Sequence, residues 1–228
     1  MGVSAVALHQ RLTIAVPRTA TYSLLGDPGK VPTECWFVYH GYAQLAHRFL
    51  RRFEGLEGPG RWIVAPEGLS RFYVHGSRGL VGASWMTRED RDAEIEDYLG
   101  YFDALYTSLF PNAATAPRIV LLGFSQGCAA ASRWAARGMA RPTRIVLWGE
   151  LQAHDLTDED YRRLREHGTE VLFVVGREDP YVSLASVERA AKELEDRGLT
   201  VRTVSFDGGH DIDGPTLMRV AQADNEER

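Results

Sequence analysis

The stretch RIVLLGFSQGCAAA, residues 118–131, constrains this chain more tightly than any other part of it. An apolar run at 119–122 reads as a strand and a small-residue segment from Cys128 reads as a helix; between them stands Gly123-Phe124-Ser125-Gln126-Gly127. A strand, a Gly-flanked turn with Ser at its apex and a helix together make the context of a nucleophile elbow. The glycines have a steric task. A Ser held at a strained strand-to-helix turn needs neighbours without side chains where strand and helix pack closely. The five-residue pattern alone would arise by chance about 0.1 times in a chain of this length. The flanking elements therefore carry the inference, and a working nucleophile demands partners elsewhere.

A chain of 228 residues that is 44% hydrophobic and 25% charged is expected to form a single domain over residues 1–228, with a core large enough for an open α/β sheet. Its 31 acidic and 26 basic residues give a formal charge of −5 and no basic block, which argues against nucleic acid or an anionic membrane surface as partner. The two cysteines, Cys35 and Cys128, sit in apolar settings and are expected as buried free thiols. Residues 1–10 lack the basic-then-apolar order of a signal peptide, and Gly2 is followed by Val6 where a myristoylation signal has Ser or Thr. No apolar run approaches the ~20 residues of a membrane span. The expected location is cytoplasmic, without stable membrane insertion, and the sequence leaves a homodimer open.

Along the chain, 12–16 and 20–25 read as the two strands of an antiparallel hairpin at a sheet edge, separated by Pro17-Arg18. CWFVY, 35–39, is apolar throughout, the pattern of a strand covered on both faces. A helix-like stretch follows at 45–53 and a short strand at 62–65. Residues 67–85, Gly-rich and aromatic with no helical period, read as the longest irregular loop and as a wall of a binding site. Apolar positions such as Ile95, Tyr98, Phe102, Leu105 and Leu109 recur at helix spacing over 87–110, with Thr87-Arg88-Glu89-Asp90 as a capping-box-like start. Beyond the elbow, strands at 144–148, 171–175 and 201–206 alternate with helices near 158–167, 183–197 and 215–221. A hairpin followed by βα units predicts an α/β fold with a mainly parallel, doubly wound sheet and reactive groups at the carboxyl ends of its strands.

Serine is a weak nucleophile at its own pKa; it needs a base, and the base needs an orienting acid. In the order acid then His, two strand ends supply them: Asp179 after VLFVV, and His210 after VRTVSF, behind Gly208-Gly209. Of the seven histidines only His210 combines a strand end with a Gly pair. Glu178 is the rival acid, while Asp207 and Asp211 read as turn and capping groups. Donors for a developing oxyanion are expected from two backbone N–H groups. One is that of Gln126 at the start of the elbow helix; the other is that of Tyr42, in the turn His40-Gly41-Tyr42 after CWFVY. His40 itself reads as a buried structural histidine. Phe72, Tyr73, His75, Trp85 and Met86 are the candidates for substrate contact. No His or Cys spacing suits a metal, and no cofactor is expected.

These residues resemble the phospholipase/carboxylesterase family of α/β-hydrolases, which also contains acyl-protein thioesterases. The resemblance is carried by His40-Gly41-Tyr42, Pro66-Glu67-Gly68, the Gly-Phe-Ser-Gln-Gly turn, Gly176-Arg177-Glu178-Asp179-Pro180-Tyr181-Val182 and Gly209-His210, and covers about 35–210. It implies an α/β-hydrolase fold without a large cap. It further implies a serine esterase with nucleophile Ser125, acid Asp179 and base His210, oxyanion donors Tyr42 and Gln126, and a pocket tryptophan at Trp85. Two segments depart from the family pattern: His-Gly-Tyr-Ala-Gln stands where a Gly-Asp pair is common, and Gly149-Glu150-Leu151-Gln152 where a Ser-Gly segment is usual. The expected activity is hydrolysis of small-molecule carboxylic esters with small or medium acyl groups through an acyl-serine intermediate. Thioesterase or peptidase action with the same triad is the alternative, followed by a non-catalytic ligand-binding module.

Overall fold

The apolar run at 35–39 forms strand β2, Glu34–Tyr39, whose side chains alternate between two cores. Cys35, Phe37 and Tyr39 face one and Trp36 and Val38 the other, so no position along the run can be polar. The computed structural model describes residues 10–112 and 115–226; the targeting features of 1–9 lie outside the described residues. The sheet has seven strands in the order β1-β3-β2-β6-β7-β8-β9. These are β1 Tyr22–Leu25, β3 Arg61–Pro66, β6 Arg118–Phe124, β7 Arg144–Trp148, β8 Glu170–Gly176 and β9 Val201–Phe206, with β2 third in line. All neighbours are parallel except β1 and β3. Outside this sheet, β4 Ser70–Tyr73 and β5 Val81–Ser84 form an antiparallel pair of their own.

Helices cover both faces, as buried parallel strands require. On the Phe37 side lie α2 Arg91–Leu109, α3 Gln126–Arg137, α4 Asp158–Glu166 and α5 Leu184–Asp196. The opposite face is covered by α1 Ala46–Phe49, a 3₁₀ stretch Leu50–Leu56 and α6 Gly214–Glu226. Cys35 and Cys128 are both buried and free. Among the described residues no helix is long and apolar enough to cross a membrane.

Four details differ from expectation. The antiparallel N-terminal edge is present, but β1 pairs with β3; residues 12–16 form no strand and leave Leu12, Ile14 and Val16 exposed. Thr21 explains this. Its carbonyl accepts from Glu67 N–H and Tyr101 Oη and its hydroxyl from Arg71, which lines up the following residues with β3 and not with 12–16. Helix α2 begins at Arg91, because Asp90 sits at φ 48° and makes no cap, and Thr87 N–H donates instead to Glu94 Oε2 at 2.6 Å. The helix expected at 45–53 is one α turn continued by 3₁₀. The segment 67–85 is the β4–β5 hairpin; its connection carries Gly76 and Gly79 at positive φ, and an isolated bridge joins Ala83 to Gln44.

Candidate active site

Strand β6 ends at Phe124 and α3 begins at Gln126, so the whole reversal falls on Ser125, at φ 52° and ψ −123°. A non-glycine residue there stores on the order of 1–3 kcal/mol, and the packing around it must hold it in place. That packing is tight. A Cβ on Gly123 would lie 2.5 Å from the Cα and N of Cys128, and one on Gly127 would lie 2.2 Å from the Tyr39 carbonyl oxygen. Ser125 N–H donates to Trp148 O at 2.9 Å, tying the elbow to β7. Among the described residues the Ser125 hydroxyl makes no hydrogen bond.

Asp179 follows β8 in a turn, its side chain only 1% exposed. Oδ1 accepts from the N–H groups of Tyr181 at 2.9 Å and Val182 at 3.2 Å, which leaves Oδ2 for His210 Nδ1 at 2.8 Å. With the carboxylate ionised, this bond places the imidazole proton on Nδ1 and leaves Nε2 as an acceptor. The ring is held between Phe124, centroids 4.9 Å apart, and Tyr181, at 4.7 Å. Phe124 precedes the elbow serine, so His210 and Ser125 share one end of the sheet. Trp148 Nε1 donates to Asp211 O at 2.9 Å and pins the loop that carries the histidine. Gly149, at φ +69°, lies against the pair: a Cβ there would be 3.0 Å from His210 Nδ1 and Cε1. The rival acid Glu178 is exposed, while Asp207 pairs with Arg177 and Asp211 with Arg52.

The turn after β2 is pinned on both sides of Tyr42. Gly41 N–H donates to Gln44 Oε1 at 2.9 Å and Ala43 N–H to Ala83 O at 2.9 Å, whereas Tyr42 N–H has no acceptor among the described residues. Gln126 N–H, at the first turn of α3, is likewise unengaged, as expected where a helix leaves its leading donors open. The Gln126 side chain is fully used: Oε1 accepts from Trp85 N–H and Nε2 donates to Met86 O at 2.9 Å. Elbow, turn and hairpin are thus one connected unit.

His40 is buried, with Nδ1 donating to Gly41 O at 2.8 Å and Nε2 accepting from Gly68 N–H at 3.0 Å. Both ring nitrogens are spent on the backbone, and burial pushes its pKa from 6.5 down to about 4. The unfolded chain takes up this proton below about pH 6.5 and the folded chain only below about 4. Stability is therefore complete above 6.5 and falls as pH drops toward 4, by about 3 kcal/mol over the whole window. Urea unfolding at several pH values should show His40→Gln with a shallower slope across that window; parallel slopes would remove this role from His40.

Of the substrate-contact candidates, Trp85 lies in the core. It is 1% exposed, packs on Tyr39, Tyr98 and Phe102, and donates its indole N–H to His40 O at 2.8 Å. Trp85 stands in what reads as a loop, directly after β5, and its ring packs into the core. Phe72 is half-buried and stacks on Tyr42 at 5.2 Å, Tyr73 and His75 are exposed, and Met86 is half-buried with Sδ 3.2 Å from Arg133 Nη1. Sequence reasoning missed Trp148, Gly149, Tyr181 and the fully buried Arg133, which pairs with Asp155 at 2.6 Å. Gly149 alone carried a signal, a glycine directly after a strand. The others act through contacts more than 20 residues away.

Among the described residues no cluster of His, Cys, Asp and Glu could hold a metal ion. A mainly parallel sheet with a strained Ser turn after β6, and Asp and His beyond β8 and β9, defines an α/β-hydrolase. The model of the phospholipase/carboxylesterase family matches residues 79–223, and the chain belongs to that family. It is thereby an esterase-type hydrolase. Ser125, Asp179 and His210 fall inside the matched segment and Tyr42 before it. Similar solved structures include acyl-protein thioesterase 2 of Zea mays, at a TM-score of 0.70 and 16% identity over 91% of this chain and 99% of that one. A carboxylesterase from Mesorhizobium loti gives 0.70 and 21% over 90% and 93%, and esterase PE8 gives 0.67 and 23% over 91% and 98%. No curated protein matches the chain.

Proposed function

We propose that this chain hydrolyses carboxylic esters of small or medium acyl groups through an acyl-Ser125 intermediate. The observation that carries the proposal is the 2.8 Å bond from His210 to Asp179, beside the elbow that presents Ser125. In this mechanism His210 Nε2 takes the hydroxyl proton as Ser125 Oγ attacks the ester carbonyl. The oxyanion is met by the N–H groups of Tyr42 and Gln126. Collapse breaks the carbon–oxygen bond to the alcohol, whose oxygen receives the proton from His210; water then repeats the sequence to release the acid. Asp179 accepts from His210 Nδ1 and holds the tautomer. Tyr42 is exposed, Phe72 beside it is half-buried and Trp85 lies in the core, which supports short acyl groups over long ones.

A series of p-nitrophenyl esters from acetate to palmitate tests the substrate size. The expected kcat/KM is highest among the shortest members and falls toward laurate and palmitate; a steady rise to palmitate would overturn the acyl-size assignment. Thioester hydrolysis is the second reading, supported by the fold likeness to the maize acyl-protein thioesterase. Rates for one butyryl group presented on oxygen and on sulfur separate the two.

A further inference from the structure

We propose that Tyr181 forms the leaving-group subsite and selects esters whose alcohol carries an aromatic ring. The proposal rests on His210 being the general acid: the departing oxygen must come within hydrogen-bond reach of Nε2, since Nδ1 is held by Asp179. Whatever that oxygen carries must then extend past the imidazole. Two aromatic rings flank the imidazole, and only one is available. Phe124 is buried, stacked on Phe49 and pressed by the Gly41 backbone. Tyr181 is 76% exposed and meets His210 edge-on, at 4.7 Å and 70°, leaving most of its surface to solvent.

The backbone that carries this ring is held in place, and the ring has no part in the core. Its own N–H donates to Asp179 Oδ1 at 2.9 Å, Pro180 fixes the backbone before it, and buried Val182 anchors the chain after it. A planar group leaving from Ser125 would meet an exposed aromatic surface beside the base. Aromatic pairs gain on the order of 0.5–1.5 kcal/mol beyond area burial, which corresponds to a preference of roughly 2- to 10-fold.

Benzyl acetate and cyclohexylmethyl acetate share an acyl group and have primary alcohol leaving groups of similar size. Their kcat/KM ratio, divided by the ratio for hydroxide hydrolysis, isolates the ring and cancels any general damage to the triad. The expected ratio is roughly 2 to 10 for the natural chain and for Tyr181→Phe, and close to 1 for Tyr181→Leu. A natural-chain ratio near 1, an unchanged ratio in Tyr181→Leu, or its loss in Tyr181→Phe would overturn the subsite. Fluorophosphonate labelling on the same samples separates the failures. Labelled Ser125 with a flat ratio removes the subsite alone; unlabelled Ser125 removes the triad and the subsite with it.

Discussion

Ser125→Ala is expected to lower kcat/KM on p-nitrophenyl butyrate by a factor on the order of 10⁴ or more, with no loss of stability. Both halves follow from the elbow. Without Oγ no acyl-enzyme forms, and the oxyanion donors and binding contacts supply only the residual rate. The hydroxyl makes no hydrogen bond among the described residues, so its removal strands no partner, and Ala is no better suited than Ser to φ 52°, ψ −123°. Ser125→Gly separates strain from chemistry. Glycine relieves on the order of 1–3 kcal/mol of strain against an entropic cost of roughly 0.5–1 kcal/mol, so this inactive variant should melt a few degrees higher. A stable Ser125→Ala variant with full turnover would contradict the nucleophile assignment.

Gly127→Ala is expected to be strongly destabilising and to impair turnover. Its Cβ would sit 2.2 Å from Tyr39 O, 2.7 Å from Tyr39 C and 2.8 Å from His40 O. All three are backbone atoms at the end of β2, which lies within a sheet and cannot yield as a flexible side chain would. Helix α3 must move away from β2, at a cost of roughly 3 kcal/mol or more. For a chain of this size that lowers Tm by about 6–12 °C. The same movement separates Gln126 N–H from Tyr42 N–H, so turnover should fall further than the residual folded fraction explains. Calorimetry and kinetics at a temperature where the variant is folded check both parts. An unchanged Tm would show that the close approach of α3 to β2 is not a constraint.

What could be read in the sequence was whatever local chemistry determines. CWFVY reported its double burial directly, and Gly123 and Gly127 reported the contact of helix with strand. The order Asp179 then His210 after successive strands anticipated a pair that the fold brings to 2.8 Å across 31 residues. Where a distant partner decided the outcome, local signals misled. Residues 12–16 have strand composition, but β3 takes the pairing with β1. The alternation of β4 and β5 was hidden by two short strands separated by a Gly-containing connection. Trp85 sits in what reads as a loop, and only the hydrogen bond to His40 O and the rings of Tyr39 and Phe102 show it as core. Trp148 and Tyr181 belong to the same class, since each touches the histidine loop from a different strand end.

Peptide mass spectrometry after treatment with a fluorophosphonate asks most directly whether Ser125 is the activated nucleophile. One adduct is expected, on the peptide containing Gly123-Phe124-Ser125-Gln126-Gly127. It should localise to Ser125, and its formation should be strongly slowed in His210→Ala. An adduct on another residue, or full ester turnover with Ser125 unmodified, would contradict the assignment.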